Sequence, residues 1–240
     1  MILPVSLGAR EVRLAERMDD PHCDLTRLNR TYAQFGAVNG LVAGWRRVYA
    51  RYLRPQLCAA RPNTLLDIGC GGGDVPRALA RWAARDGFTL RITAIDADAR
   101  AIAFARAQPP VSGLRFRQAM SGELVREGRR FDVVTSNHLL HHLTAPELAA
   151  LLDDCQELAT GLALHSDIRR SPLAYLGFGV GVAPLFRDSF IGEDGLRSIR
   201  RSFTAAELRA LAPPGWAVRS QTPFRNLLIY GPTRGARARA

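Results

Sequence analysis

The sequence predicts an α/β fold with a mostly parallel sheet, and three observations support this prediction. Short apolar runs alternate with amphipathic stretches after residue 60, a pattern typical of successive βαβ units. The 240 residues are 47% hydrophobic and 23% charged, which is enough material for one sizeable core. The glycine-rich stretch LLDIGCGGGDV, residues 65–75, follows the first apolar run. Glycine leaves room beside the main chain, so this turn is expected to meet a ligand.

The elements follow in a regular order along the chain. Residues 11–56 carry helical periodicity, so residues 1–56 are expected to form a helical N-terminal cap on a domain spanning residues 57–240. In that domain, strands and helices are expected to alternate as TLLDIG, PRALARWAAR, LRITAID, ARAIAFARAQ, LRFRQA, FDVVTSN, PELAALLDDCQELA and GLALHSDI.

Three further features complete the expected fold. The stretch WAVRSQTPFRNLLIYGP predicts two strands in an antiparallel hairpin at the sheet edge. Thr204 and Glu207 have the spacing of a capping box, which predicts that a helix begins there. Residues 169–202 contain the apolar, glycine-rich LAYLGFGVGVAPLF, a composition that favours a lid or pocket wall over a surface loop.

The positive charge does not by itself predict a nucleic-acid partner. The formal net charge is +11, all 33 basic residues are arginine, and they are spread along the chain as far as the tail GARARA. We interpret most of them as solvated surface charge and expect no specific nucleic-acid binding. The cluster at residues 197–201 could meet a phosphate or an acidic carrier protein, and the oligomeric state is not predicted.

Targeting and metal signals are absent from the sequence. No window approaches the roughly 18 apolar residues of a membrane span, and the start has no long apolar run. We therefore expect a cytoplasmic protein with no membrane span. The four cysteines are scattered without CxxC pairs, so we expect neither a disulfide framework nor a metal site.

The acids around the glycine turn predict the charge of the ligand. A dinucleotide fingerprint would need glycine at position 74, where the sequence has Asp74, and Asp67 lies just before the turn. Negative charge there disfavours a pyrophosphate, which needs the positive end of a helix. A cationic adenosine ligand, S-adenosylmethionine, fits better. Asp96 ends the next expected strand, ITAIDAD, where a carboxylate can accept from both ribose hydroxyls.

With LLDIGCGGGDV, ITAIDAD and FDVVTSNHLLHHL, residues 60–230 resemble the class I S-adenosylmethionine-dependent methyltransferases, and are similar to the ubiquinone- and menaquinone-biosynthesis group of small-molecule enzymes. The resemblance implies a Rossmann-like seven-stranded sheet whose last strand is antiparallel. It also implies a set of cofactor contacts. These are Asp67, Gly69 and Gly71 for the methionine part, Asp96 with its neighbour Ala97 for the ribose, Ala119 and Met120 for the adenine, and Asn137 for the far side of the cofactor.

The histidines of TSNHLLHHL lie where catalysis is expected, after the fourth strand. A phenolic acceptor with a pKa near 10 gains from a nearby histidine that takes its proton. LHHLTAPE looks like the LHDW stretch of plant-type phenolic O-methyltransferases, which implies His141 as the base, with His138 as the second candidate. A packing or orienting role for these histidines stays open. The segment lacks the N-P-P-aromatic tetrad of enzymes that methylate exocyclic amines.

The expected acceptor is a small aromatic or lipophilic molecule. Tyr32, Phe35 and Asn39 fall at helical intervals in the cap and could face the pocket opposite the apolar 169–202 segment, although core packing is the favoured interpretation for the two aromatic residues. We expect O-methylation of a polyketide-type phenol, pyrone or quinol, and the ERMDDP start resembles methyltransferases that accompany polyketide enzymes, which implies secondary metabolism. The alternatives are C- or N-methylation of a small molecule, an RNA-directed enzyme, or a non-catalytic binding protein.

Overall fold

A seven-stranded sheet forms the centre of the computed structural model, which describes residues 7–231. The strands lie in the order β3-β2-β1-β4-β5-β7-β6. Strands β1 to β5 are parallel, and β7 runs antiparallel to both of its neighbours, β5 and β6. The predicted sheet is confirmed, and the last strand lies inside it, because β6 takes the edge. The strands are β1 Asn63–Ile68, β2 Leu90–Asp96, β3 Leu114–Gln118, β4 Phe131–Asn137, β5 Ala159–Ile168, β6 Trp216–Gln221 and β7 Arg225–Tyr230.

Helices cover both faces of the sheet, so the strands are buried on both sides. Leu65 and Leu66 are adjacent in β1, and each is at most 1% exposed. They point into two different apolar clusters, one on each face, as the period of two in a strand requires. The α-helices are α1 Leu25–Val42, α2 Trp45–Val48, α3 Asp74–Arg85, α4 Ala99–Ala107, α5 Ser121–Arg126, α6 Ala145–Leu158, α7 Pro172–Gly181, α8 Ile191–Arg201 and α9 Ala205–Leu211. Across the described residues, none of them is long and apolar enough to cross a membrane.

The strand order reverses between β1 and β4, and this point places the site. From β1 the chain first builds outward to β2 and β3, and then crosses back to lay down β4 on the other side. The two crossovers leave the sheet in opposite directions, so a crevice opens at the carboxyl ends of β1 and β4, where ligands bind in open α/β sheets.

The N-terminal region is only partly helical, which corrects the expectation for residues 11–56. Helix α1 begins at Leu25, with Asp24 as its N-cap, and residues 11–24 form turns, bends and irregular chain. Residues 7–20, which we call the N-terminal strap, lie against α8. There the N–H groups of Arg17 and Met18 donate to the Asp194 carboxylate, and these donors are therefore not free for a helix. The cap and domain boundaries stay predictions, and the tail GARARA lies outside the described residues.

The 169–202 segment consists mainly of α7, a 3-10 turn at Ala183–Leu185, and α8. Its arginine cluster faces the strap. Arg200 forms an ion pair with Glu11, and Arg201 is only 7% exposed and donates to the carbonyl of His142. Two of the guanidinium groups in this cluster are thus bound within the protein, and contact with an acidic carrier protein stays a prediction.

Gly73→Ala is expected to destabilise the fold by more than about 1–2 kcal/mol, because a clash with Phe116 adds to the cost of a left-handed backbone for a residue with a side chain. Gly73 has φ +80°, and a Cβ there would lie 2.6 Å from two atoms of the Phe116 ring. Urea unfolding measures the change. Gly128→Ala is the matched control, because Gly128 has φ +64° with nothing within 4 Å of a Cβ. Equal losses in the two variants would show that the contact with Phe116 adds nothing to the backbone strain.

Candidate active site

One large cavity of about 840 Å³ opens at the carboxyl edge of the sheet, at the strand-order reversal. Its walls come from α1, the glycine turn, the ends of β1, β2 and β4, and the segment carrying α7 and α8. Tyr32, Phe35 and Asn39 of the cap lie in its wall. The structure also brings every site residue predicted from the sequence into this wall, namely Asp67, Gly69, Gly71, Asp96, Ala97, Ala119, Met120, Asn137, His138 and His141.

The glycines of the turn divide into two pairs with different roles. Gly69 and Gly71 line the cavity and have φ values of +69° and +51°. Gly72 and Gly73 lie outside it and are required by packing, since a Cβ at Gly72 would lie 2.9 Å from the Cβ of Tyr32. Only the first pair therefore leaves main chain open to a ligand.

Three acids surround the turn without a cationic partner. Within residues 7–231, Asp67, Asp74 and Asp96 form no ion pair. Burial raises the pKa of all three carboxyl groups, that of Asp67 to about 7. A cationic ligand would relieve the cost of burying these charges, whereas a phosphate would add to it. The site therefore fits S-adenosylmethionine, whose sulfonium and amino groups are positive.

Asp96 is held in place by the turn itself. Its Oδ2 accepts from the N–H of Gly71 at 2.8 Å, and its Oδ1 accepts from the N–H of Asp98 at 2.9 Å. Each carboxylate oxygen has a second lone pair left for a ribose hydroxyl. Next to it, the N–H of Ala119 donates to the carbonyl of Asp96, and Met120 is 60% exposed at the mouth of the cavity. The roles of Ala119 and Met120 toward adenine stay predictions.

His141 lies between two carboxylates. Its ring is 1% exposed, with Nδ1 at 2.7 Å from Asp167 Oδ1 and Nε2 at 3.2 Å from Glu16 Oε1. Burial alone would lower the pKa of His141, but Asp167 and Glu16 outweigh burial and raise it to about 9. Both ring nitrogens thus carry protons at neutral pH, and in this arrangement the ring has no free lone pair with which to accept a proton from an acceptor.

His138 differs from His141 in charge. It has φ +56°, and its Nε2 lies 2.7 Å from Nη1 of Arg225. A guanidinium only donates, so Nε2 must accept and the proton of the neutral ring is on Nδ1. Burial and the charge of Arg225 hold the pKa of His138 well below its usual value. His138 therefore offers the cavity a hydrogen-bond donor, and Arg225 also holds the Oδ1 of Asn137 at 2.8 Å.

His142 adds a third histidine next to Glu16. Its Nδ1 lies 3.2 Å from Asp19 Oδ2, and its Nε2 lies 3.8 Å from Glu16 Oε1. Ligand atoms of Glu16, His141 and His142 lie within 4.8 Å of one another, a separation that metal sites share. The Glu16 oxygen, however, is already hydrogen-bonded to His141 Nε2. The close approach of these two atoms is therefore explained by the hydrogen bond between them.

Three residues of the site were missed by sequence reasoning. Asp167 lies near the end of β5, the strand GLALHSDI, which pairs in parallel with β4. An acid at the end of a parallel strand is the signal that could have identified it. Glu16 lies in the unusual ERMDDP stretch, where the acid alone gave no indication of a histidine partner. Arg225 had no local signal, because only the pairing of β7 with β5 brings it beneath His138.

The sheet order, the open glycine turn and the acids at the carboxyl edge together form a Rossmann-like domain with an acidic ligand site. Comparisons with known proteins agree. A family model described as a methyltransferase domain matches residues 65–160. The ubiquinone biosynthesis O-methyltransferase of Cereibacter sphaeroides is 35% identical over 51% of this chain and 48% of its own length. That of Azotobacter vinelandii is 33% identical over 61% of this chain and 60% of its own length.

A solved structure shows the same fold at low sequence identity. Human N-acetylserotonin methyltransferase in complex with S-adenosylmethionine has a TM-score of 0.59 and 11% identity, over 87% of this chain and 57% of its own. The present chain spans about half the length of the curated relatives it matches. The matched region, residues 65–160, is therefore similar to methyltransferase domains.

Proposed function

We propose that the protein methylates an oxygen of a small aromatic or lipophilic acceptor, with S-adenosylmethionine as the methyl donor. One observation carries this proposal: a single cavity is lined at one end by unpaired acids and at the other by an apolar wall. Ala174, Phe178, Val182 and Ile191 belong to that wall, together with Phe35 of α1. The acidic end suits the cationic cofactor, and the apolar end suits a ring or an alkyl chain.

The cofactor contacts follow the order of the strand ends. We assign Asp67, Gly69 and Gly71 to the methionine part and Asp96 with Ala97 to the ribose. Ala119 and Met120 are assigned to the adenine, and Asn137 to the far side. When bound, S-adenosylmethionine supplies an electrophilic methyl group on a good leaving group, so the protein chiefly has to align the acceptor.

The charge states of the two histidines suggest which hydroxyl groups react. His141 is already protonated, and His138 presents Nδ1–H because Arg225 occupies its Nε2. In this geometry neither ring takes a proton from the acceptor, so we assign both of them to positioning. The favoured acceptor is one whose hydroxyl ionises readily without a base, such as a polyketide phenol, a pyrone enol or a quinol. Support for the oxygen comes from the relatives named as O-methyltransferases.

A panel of acceptors tests the proposal. The protein is incubated with methyl-labelled S-adenosylmethionine and with phenols, pyrones and quinols whose hydroxyl pKa values lie on both sides of about 10, the value for tyrosine. We expect O-methyl ethers, and a rate that rises with pH at a midpoint that follows the pKa of each acceptor. This is the profile of an acceptor that loses its proton without an enzymic base.

Aryl amines and total RNA are the comparison substrates. A midpoint that stays at one pH for every phenol would instead show that a protein group takes the proton, and His141 or His138 would then be the base. Label found only on nitrogen, on carbon or in RNA would overturn O-methylation, and the product would identify which alternative holds.

A further inference from the structure

The strap places one acid, Glu16, in the cavity wall, and the strap does not need this acid for its attachment to the rest of the protein. Glu16 is 4% exposed and lines the cavity next to His141. The strap is already anchored on both sides of it. Arg10 donates to the carbonyls of His141, Leu143 and Arg201, and the N–H groups of Arg17 and Met18 donate to Asp194. A buried carboxylate is costly unless it is paired, so its burial needs another explanation.

The contacts of Glu16 provide that explanation. Its Oε1 accepts from His141 Nε2 at 3.2 Å and from Ser198 Oγ at 2.7 Å. On the opposite side of the ring, Asp167 accepts from Nδ1 at 2.7 Å and also from the backbone N–H of His141 at 2.8 Å. The imidazole is thus fixed at both nitrogens, by one acid from β5 and one from the strap. With both contacts in place, the ring has a single orientation and a defined proton at each nitrogen.

We propose that Glu16 is a positioning residue of the active centre, which together with Asp167 holds the His141 ring in place and keeps a proton on its Nε2. This proposal rests on the proposed function, since it gives Glu16 a part in the same reaction. It makes the strap a component of the active centre as well as a cover. The histidine then keeps one orientation in the cavity wall, which gives the acceptor a fixed surface to lie against.

Other titratable or charged groups also face this ring, and the variants below leave them unchanged. The His142 ring lies tilted against that of His141 with ring centroids 4.3 Å apart, and the His138 ring lies edge-on to it at 6.2 Å. The remaining groups that contact this cluster are Arg10, Asp19, Arg201 and Arg225.

The test replaces the charge and keeps the shape. In Glu16→Gln the amide oxygen can still accept from Nε2, but the negative charge is gone. Loss of an opposite charge at this distance should lower the pKa of His141 by about 1–3 from its wild-type value of about 9. Histidine-labelled protein is titrated by NMR, with the His141 signal identified by its loss in His141→Asn. Glu16→Asp, which keeps the charge, should restore part of the wild-type value.

Activity and binding give the second readout, with the best acceptor from the panel. Glu16→Gln should raise the KM for the acceptor. The pH profile of its methyl-transfer rate should also show a new ionisation, at the lowered pKa of His141. Affinity for S-adenosylhomocysteine should not change. Glu11→Gln is the control, because Glu11 is on the same strap and pairs with Arg200, away from His141. It should leave the His141 titration as in the wild type.

The outcomes separate this proposal from the proposed function. If Glu16→Gln titrates like the wild type, or if Glu11→Gln shifts His141 equally, Glu16 does not hold the ring and the inference is wrong. A stoichiometric divalent metal in the purified protein, whose removal by EDTA shifts the His141 and His142 signals, would also overturn it. A lowered His141 pKa without methyl transfer to any acceptor would support the coupling and count against the proposed function.

Discussion

His141→Ala is expected to lower the free energy of unfolding by about 3–5 kcal/mol, the cost of removing one partner from a buried charged network. The variant leaves the carboxylates of Glu16 and Asp167 facing each other across the vacated ring position, and both side chains are at most 4% exposed. Urea unfolding of the wild type and the variant near neutral pH measures the difference. His22→Ala is the control, since His22 is exposed and should change stability by less than about 0.5 kcal/mol.

The same pair of proteins gives a pH dependence with a definite sign. The folded pKa of His141 is raised from 6.5 to about 9, so its contribution is fully present below pH 6.5 and is lost as the pH rises through 9. The folded pKa of Glu16 is lowered from 4.5 to about 2, so its contribution is present above pH 4.5 and is lost as the pH falls toward 2. The stability gap between wild type and His141→Ala should therefore be widest between about pH 5 and 6.5. A gap that stays the same from pH 5 to 10 would contradict the charged state of His141.

The sheet could be predicted closely from the sequence because its signals are local. Each strand is a short apolar run, and helices such as α6 and α9 begin at capping boxes, Thr144 with Glu147 and Thr204 with Glu207. Alternation of these runs is enough to specify βαβ units, and the right-handed crossover then limits the topology. The prediction of a helix over residues 11–24 was wrong for the converse reason. Their periodicity favoured a helix, but the N–H groups of Arg17 and Met18 donate to Asp194 of α8, which is distant in sequence.

The sequence signals for the cofactor half of the site are equally local, whereas those for the acceptor half are not. Asp67 and the glycines belong to one strand–turn–helix motif, and Asp96 ends the next strand, which pairs in parallel with the first. The environment of His141 depends on Glu16, which is 125 residues away along the chain. Proton affinity is determined by such neighbours, so the sequence could name His141 but could not predict that both its nitrogens are occupied. The same holds for His138, whose tautomer depends on Arg225 from the last strand.

Asp96→Ala is expected to weaken binding of S-adenosylhomocysteine by about 10- to 150-fold, or roughly 1.5–3 kcal/mol, the range for hydrogen bonds to a charged group. The variant removes the carboxylate proposed to accept from both ribose hydroxyls, and it also releases the N–H of Gly71, which donates to Asp96 Oδ2 at 2.8 Å. Part of the loss could therefore come from a loosened turn.

Asp96→Asn separates these two contributions to Asp96→Ala, and calorimetry on all three proteins measures them. In Asp96→Asn, the amide oxygen can still accept from the N–H of Gly71. The amide has no charge, however, and only one oxygen with which to accept from the two ribose hydroxyls. We therefore expect Asp96→Asn to restore the turn but to recover only a small part of the affinity that Asp96→Ala loses. Asp98→Asn is the control, since Asp98 pairs with Arg100 and caps α4. Equal affinity in Asp96→Ala and the wild type would show that the ribose is bound elsewhere. Full recovery in Asp96→Asn would show that Asp96 shapes the turn and does not bind the ribose through its charge.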